Sequence, residues 1–404
     1  MNRSFITAVI LTATLFVGLL IEGCDSQNHG NPREEIAEFG RPITGLTDEQ
    51  LNLFNDGLAE FTRIRTAETG LGPVFNERSC TACHRDPAIG GDINDLSIIQ
   101  TLFGTEISNS FNELKSVGGD LLQTRGIGEE IEGCPVGEVI PDEATIVATR
   151  QIPPLFGDGL IEAIPEEVIM ANEDPDDLDG DGISGRAHFS LFYEMITRFG
   201  VKADIPDLDT FTGFALVREM GVTNPHDVFV TIFEQLPQGQ PIPDGCDLVG
   251  GFEASFEELE AIGAFQRFLA PPPRGEITEA VSDGEAVFEE IGCSKCHIDS
   301  LSTGANEIEA LSNKDVELYS DLLLHDMGPE LADGIEKGPA KGYEFRTTPL
   351  WGLRTRNFYL HDGRTDSLEE AIKLHGGEAE TVIDRFSGLS QEELDSLMAF
   401  LNSL

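Results

Sequence analysis

The sequence predicts a mainly α-helical protein of two tandem halves, the first enlarged by a long irregular insertion. Three observations predict it. Capped amphipathic helices recur along the chain, one fifteen-residue helix is repeated at the close of each half, and one short cysteine–histidine motif occurs once per half. Strand signals are short and scattered. The 404 residues, 40% of them hydrophobic, suffice for two domains with their own cores.

The chain divides in order. Residues 5–21 form the one long apolar run, and behind Arg3 it reads as a signal sequence. It ends at Ile21-Glu22-Gly23-Cys24, which resembles a bacterial lipoprotein processing site with Cys24 as the lipidated residue. Glu22 departs from that pattern, and an uncleaved membrane anchor is the alternative. Either way residues 1–24 place the rest outside the cytoplasm, as a membrane-anchored periplasmic protein. Residues 25–44 are polar, with Gly, Asn and Pro, and read as a flexible tether. Thr47-Asp-Glu-Gln50 is a capping box, followed by Leu51, Phe54, Leu58 and Phe61 at helical spacing. A Gly-rich turn at Gly70-Leu-Gly-Pro73 leads to the first motif. Ser282-Asp-Gly-Glu285 opens the equivalent helix, with Val287, Phe288 and Ile291 on its apolar face, before the second.

The repeat fixes the boundary. The helices beginning at Ser255 and Ser390 are identical at seven of fifteen positions, without gaps. The first is followed by Ala270-Pro-Pro-Pro-Arg-Gly275, which no helix crosses. The first half therefore spans 45–274 and the second 275–404. A shorter echo agrees: Arg150-Gln-Ile-Pro-Pro-Leu-Phe-Gly157 follows the first motif and Arg346-Thr-Thr-Pro-Leu-Trp-Gly352 the second.

With 73 acidic against 26 basic residues, the net charge is −47, which excludes nucleic-acid binding through phosphate neutralisation. The acids are spread along the whole chain and read as a solvated surface; steering of a basic partner is the other use of such a field. An exported chain meets an oxidising compartment, so Cys134 and Cys246, the cysteines outside the motifs and the leader, are expected to pair.

The motifs are Cys80-Thr-Ala-Cys83-His84 and Cys293-Ser-Lys-Cys296-His297. Two thiols three positions apart on a helical turn can each add to one vinyl group of haem, and the adjacent histidine then lies under the iron. A shared four-ligand zinc cage is disfavoured: each pair carries its own histidine and its own preceding helix. The reading is two covalently bound c-type haems, with His84 and His297 as proximal ligands and each half cytochrome c-like.

Sixth ligands separate electron transfer from substrate chemistry. Ser367-Leu-Glu-Glu370 caps a helix on which Leu368, Ala371, Ile372 and His375 share one face, which makes His375 the candidate ligand for the second haem; a core histidine held by a backbone carbonyl is the alternative. Met327 is the rival. For the first haem Met220, His188 and His226 lie in range without a convincing pattern, consistent with an open site. Asp177, Asp179 and Asp181 have the spacing of a calcium loop, but His188 stands where its bidentate glutamate would be; calcium and a plain acidic turn both stay open. Arg150 and Arg346 are candidate partners of haem propionates. Trp351 reads as core, with a relay between haems as the alternative.

The sequence resembles the dihaem oxidoreductase family of peroxidases, also called thiol oxidoreductase-like. The segments that carry this are Gly70-Leu-Gly-Pro-Val-Phe-Asn76, Arg198-Phe-Gly-Val-Lys-Ala203, Leu322-Leu-Leu-His-Asp-Met-Gly328, Thr348-Pro-Leu-Trp-Gly352, Leu360-His-Asp-Gly-Arg364 and Ala371-Ile-Lys-Leu-His-Gly-Gly-Glu-Ala379. Val201 stands where that family usually has tryptophan. The second half is also similar to the bacterial dihaem cytochrome c peroxidases, in which an axial methionine follows a His-Asp-Gly. His375 falls at about that place, so the resemblance implies that it replaces the methionine. It further implies a peroxidase that takes electrons from a small cytochrome or cupredoxin through the second haem to the first. The competing expectations are a pure electron-transfer cytochrome and an oxidase of a protein or thiol substrate. No catalytic acid–base residue stands out among so many acids.

Overall fold

The computed structural model describes residues 39–108, 110–226 and 236–404. The expectations for residues 1–24, for Cys24 and for most of the tether lie outside them. Among the described residues no helix is long and apolar enough to cross a membrane.

Helix α1 (Asp48–Thr62) starts where its box predicts: Thr47 accepts from the Gln50 amide and the Gln50 side chain returns to Thr47. It buries Phe54, Gly57 and Phe61. Short helices α2 (Asp158–Glu162) and α3 (Glu166–Met170) precede α4 (Leu208–Met220) and α5 (Phe256–Phe268). The second half holds α6 (Glu279–Ile291), α7 (Leu368–Lys373), α8 (Glu380–Ser387) and α9 (Gln391–Leu401). Helix α6 opens one turn earlier than its box predicts. Thr278 caps it by accepting from Val281, and Ser282 sits inside, donating to the Thr278 carbonyl. The burial of Val281 explains the extra turn. Helix α7 stops before His375, ahead of Gly376 and Gly377.

The two helix pairs repeat one device. In α1 a Cβ on Gly57 would lie 1.9 Å from the Ala261 carbonyl oxygen of α5 and 2.8 Å from the Phe265 Cβ. In α6 a Cβ on Gly284 would lie 1.9 Å from the Ser396 carbonyl oxygen of α9 and 2.8 Å from the Phe400 Cβ. The partners Ala261 and Ser396, and Phe265 and Phe400, are equivalent positions of the repeated helix. Each crossing is close because glycine removes the side chain that would hold the backbones apart.

Sheets are small and antiparallel. Strand β2 (Gln100–Ile107) pairs with β3 (Ser110–Asn112) and β5 (Ile146–Arg150). Strand β1 (Val74–Phe75) pairs with β4 (Arg125–Gly126), and β6 (His188–Ser190) with β7 (Met195–Thr197). In the second half β8 (Leu301–Ser302) pairs with β9 (Asp315–Val316), and β10 (Leu324–Asp326) with β11 (Glu344–Arg346). A disulfide joins Cys134 to Cys246 across 112 positions.

One core gathers α1, α4 and α5, and another α6, α8 and α9. A third is shared: Leu160, Ile164, Ile196 and Leu208 of the first half pack with Leu301, Leu318, Leu323 and Trp351 of the second. Trp351 thus sits in apolar packing, where the ring closes over Gly157.

Candidate haem centres

Each motif begins with one helical turn, Cys80–Ala82 and Cys293–Lys295. That turn brings the His84 amide to 2.9 Å from the Cys80 carbonyl and the His297 amide to 3.0 Å from that of Cys293. The surroundings match as well. Phe61 of α1 lies beside the His84 ring, and Phe288 of α6, four residues after Gly284, lies beside that of His297.

Burial sets the protonation of both motifs. It pushes the Cys80, Cys83 and Cys293 thiols up to about 12 and raises that of Cys296. With no metal bound, such groups stay thiols at neutral pH. Burial also pushes His84 and His297 down to about 4. Nδ1 of His84 lies 3.0 Å from the Gly91 carbonyl, and Nδ1 of His297 lies 2.9 Å from that of Tyr319. A carbonyl accepts only, so Nδ1–H donates and Nε2 keeps its lone pair for a metal.

Both motifs line one cavity of about 490 Å³, together with Met220, Met327, Arg150, Arg346 and His375. Nδ1 of His375 lies 2.8 Å from the Ala371 carbonyl, so the backbone satisfies one nitrogen and leaves the other free. His375 and His297 line the same cavity, and the charge of His375 acts on His297. Met327 remains beside them, its carbonyl packed against Gly376. His325 is excluded as a ligand: Asp321 holds Nε2 at 2.8 Å and Glu378 holds Nδ1 at 2.7 Å.

At the first motif the structure narrows the choice. His188 bonds the Lys202 carbonyl at 2.8 Å and His226 lies by Thr210, and neither lines the cavity. Met220 does, and so does Glu219, which the sequence did not single out. Glu219 accepts from Asn76 at 2.9 Å and from Gln100 at 2.6 Å, and burial pushes its carboxyl up. It is close enough to act on Cys83.

The second half completes the surroundings of the first motif. The Gln151 amide donates to the His361 carbonyl at 2.8 Å, and the Asn357 amide to Asn94 at 3.2 Å. Asp333 accepts from Arg150 at 2.7 Å and pairs with the fully buried Lys202 at 3.3 Å. Arg150 is thereby committed, whereas Arg346 keeps a buried Nη1 without a hydrogen-bond partner among the described residues. Both carboxylate oxygens of Asp92 and Nε of Arg356 are likewise unpaired, and both residues line the cavity. Orphaned buried groups cost about 1–3 kcal/mol each and call for a polar occupant. Haem would fit these residues: the thiols would tether it, the imidazoles would ligate it, and Arg346 and Arg356 keep buried donors that would serve its propionates.

The acidic loop gathers a different trio of carboxylates from the one its spacing picks out. Asp174, Asp177 and Asp179 gather their carboxylates, while Asp181 turns away to an ion pair with Lys295. The Asp174 carboxylate accepts from the Leu178 and Asp179 amides, so the loop holds itself.

Two equivalent cysteine–histidine centres facing one buried cavity define an oxidoreductase that carries two haems. The chain belongs to the family described as "Di-haem oxidoreductase, putative peroxidase", which matches residues 136–404. Comparison with curated protein sequences finds no match. Among solved structures, hydrazine synthase of Kuenenia stuttgartiensis is 16% identical, with 98% of this chain and 100% of that one covered and a TM-score of 0.40. A MauG-like protein associated with microbial copper homeostasis is 15% identical, covering 91% and 93%, with a TM-score of 0.40. The diheme peroxidase BthA of Burkholderia thailandensis is 14% identical, covering 90% and 86%, with a TM-score of 0.39. These likenesses are too distant to carry the assignment, which rests on the family match.

Proposed function

We propose that the protein is an exported peroxidase with two covalently attached haems, one in each of two cytochrome c-like domains, the first bearing an irregular insertion that includes Cys134 and Cys246. The observation that carries this reading is the inequality of the two centres in one cavity. His375 lines the cavity with His297 and has one ring nitrogen left free by the backbone, which would suit a six-coordinate electron-transfer haem. Glu219, a half-buried carboxyl whose affinity for protons is shifted upward, lines the cavity beside the first motif instead.

A bound haem supplies iron-centred one-electron chemistry. The chain supplies the rest. Cys80, Cys83, Cys293 and Cys296 tether the groups, and His84 and His297 present Nε2 to them. Glu219, aimed by Asn76 and Gln100, takes a proton from one peroxide oxygen and returns it to the other as the O–O bond breaks. A haem held at His297 would accept electrons from a small basic cytochrome or cupredoxin, which the net charge of −47 would draw in. The leader and Cys24 hold the protein to the outer face of a membrane.

Electron paramagnetic resonance of the holo-protein tests this. The first haem is expected to give a high-spin signal that changes on adding peroxide to half-reduced protein. Glu219→Gln is expected to slow peroxide turnover by about 10²–10⁴-fold while leaving haem content unchanged. Met220 favours a second reading, since it lines the cavity near the first motif and could fill its sixth position. That protein would be an electron-transfer cytochrome, with both haems low-spin and no response to peroxide.

A further inference from the structure

The carbonyl that orients His297 belongs to a tyrosine whose ring has no task in the peroxidase reading. Tyr319 follows β9, is buried, and its carbonyl accepts from His297 Nδ1 at 2.9 Å. Its hydroxyl donates to the Glu285 carboxylate of α6 at 2.7 Å. Arg274 joins the pair: its guanidinium lies 5.6 Å from the centre of the Tyr319 ring, and its Nη2 lies 3.4 Å from Glu285. Phe288 and Phe400 flank the ring at 6.4 and 5.6 Å. Tyr319 also lines a second cavity of about 260 Å³ at the seam of the halves, with Leu160, Pro271 and Trp351.

The first centre lacks this arrangement. The carbonyl that holds His84 is that of Gly91. One residue after the crossing glycine, α1 has the apolar Leu58 where α6 has Glu285. The tyrosine and its carboxylate are therefore an addition to the shared scaffold. Tyr359 lines the haem cavity too, but its hydroxyl donates to the Arg356 carbonyl at 3.2 Å, and a carbonyl does not take the proton.

We propose that Tyr319 is a redox-active residue of the second haem centre, with Glu285 as the base that takes its proton. The proposal rests on the two-haem peroxidase reading and goes beyond it by placing one oxidising equivalent on the protein. Hydrogen peroxide, given two electrons and two protons, becomes two waters. In fully ferric protein no donor electron is stored, so one electron comes from a haem iron and the other from Tyr319 through the haem at His297. The phenol loses that electron, and its O–H proton passes along the 2.7 Å hydrogen bond to the Glu285 carboxylate, leaving a neutral phenoxyl radical. A phenol holds its proton at neutral pH, and the Arg274 charge over the ring opposes a ring cation. Electron and proton therefore leave together. The next electron from the donor, with the proton returned by Glu285, restores the phenol.

The test is electron paramagnetic resonance of the fully ferric holo-protein, frozen soon after hydrogen peroxide is added. A free-radical signal is expected that narrows in protein carrying ring-deuterated tyrosine and is unchanged by deuterated tryptophan. Tyr319→Phe keeps the backbone carbonyl for His297 and is expected to remove the signal, whereas Tyr359→Phe is expected to leave it. Glu285→Gln is expected to slow its appearance by about 10²-fold or more. A signal insensitive to deuterated tyrosine, one that survives Tyr319→Phe, or one that forms equally fast in Glu285→Gln overturns the proposal. Optical spectra and a pyridine haemochrome of the same samples separate the failures. Fewer than two haems, or haems that peroxide leaves unchanged, defeats the peroxidase reading. Two haems that react with peroxide without a tyrosine radical defeats only the role of Tyr319.

Discussion

Glu378 shows how much one side chain can organise beside a haem centre. Its carboxylate accepts from the His325 ring, from the Asp326 amide and from both the amide and hydroxyl of Ser184, so it ties the two halves together. Burial works to raise its carboxyl, but the hydrogen bonds from His325 and Asp326 outweigh that and hold it at about 2. A depressed carboxyl contributes stability that is present above its ordinary value and lost as pH falls toward 2. His325 has the opposite sign. Burial opposes its charge, but Asp321, Cys296 and Glu378 hold it well above its ordinary value. Its contribution is complete below that ordinary value and is lost as pH rises through the folded one. Glu378→Ala is expected to lower stability by about 3–5 kcal/mol, read as a denaturation midpoint, and to flatten the acid limb of midpoint against pH. An unchanged acid limb would show that Glu378 does not carry it. At this scale the sequence was uneven. The motif histidines were legible because they adjoin their cysteines, and His375 because it follows a capped apolar face. Glu219 was not, because a carboxylate among 73 acids is marked only by a long-range partner such as Gln100.

At the scale of elements, the repeated helix foretold more than its fifteen residues. The two crossings place Phe61 and Phe265 at 4.7 Å, and Phe288 and Phe400 at 5.2 Å, each pair wedged beside its motif histidine. Gly57 and Gly284 make both crossings possible. Gly57→Ala and Gly284→Ala are each expected to destabilise by about 1–3 kcal/mol and to loosen the adjacent haem, visible as a changed Soret spectrum. Equal stability in both variants would contradict the shared crossing. The identity of Ser255 and Ser390 made these caps readable, since the capping box is local in sequence. The start of α6 was misread because Thr278 and Ser282 both offer a cap and burial of Val281 chooses between them. The sheets of the insertion escaped notice because strands of two to eight residues leave little periodic signal.

Across the whole molecule the halves are not beads on a string. They share an apolar core and the charged pairs Arg150–Asp333 and Lys337–Glu113, and the second half walls in the first motif. Sequence alone could divide the chain at the proline run near 274, but it could not show this mutual completion, which depends on residues far apart in order. The overall charge makes its own prediction. Reduction by a basic donor protein should slow steeply as ionic strength rises from 10 to about 150 mM, over which the Debye length shrinks from about 30 to 8 Å. A salt-independent rate would count against electrostatic steering. The central claim is that both motifs carry covalently bound haem, and intact mass spectrometry after acidic organic extraction addresses it most directly. The account predicts that two haems stay on the wild-type chain, and that one stays when either Cys80 and Cys83 or Cys293 and Cys296 are changed to serine. A wild-type chain that releases its haem on extraction, or retains only one, would contradict it.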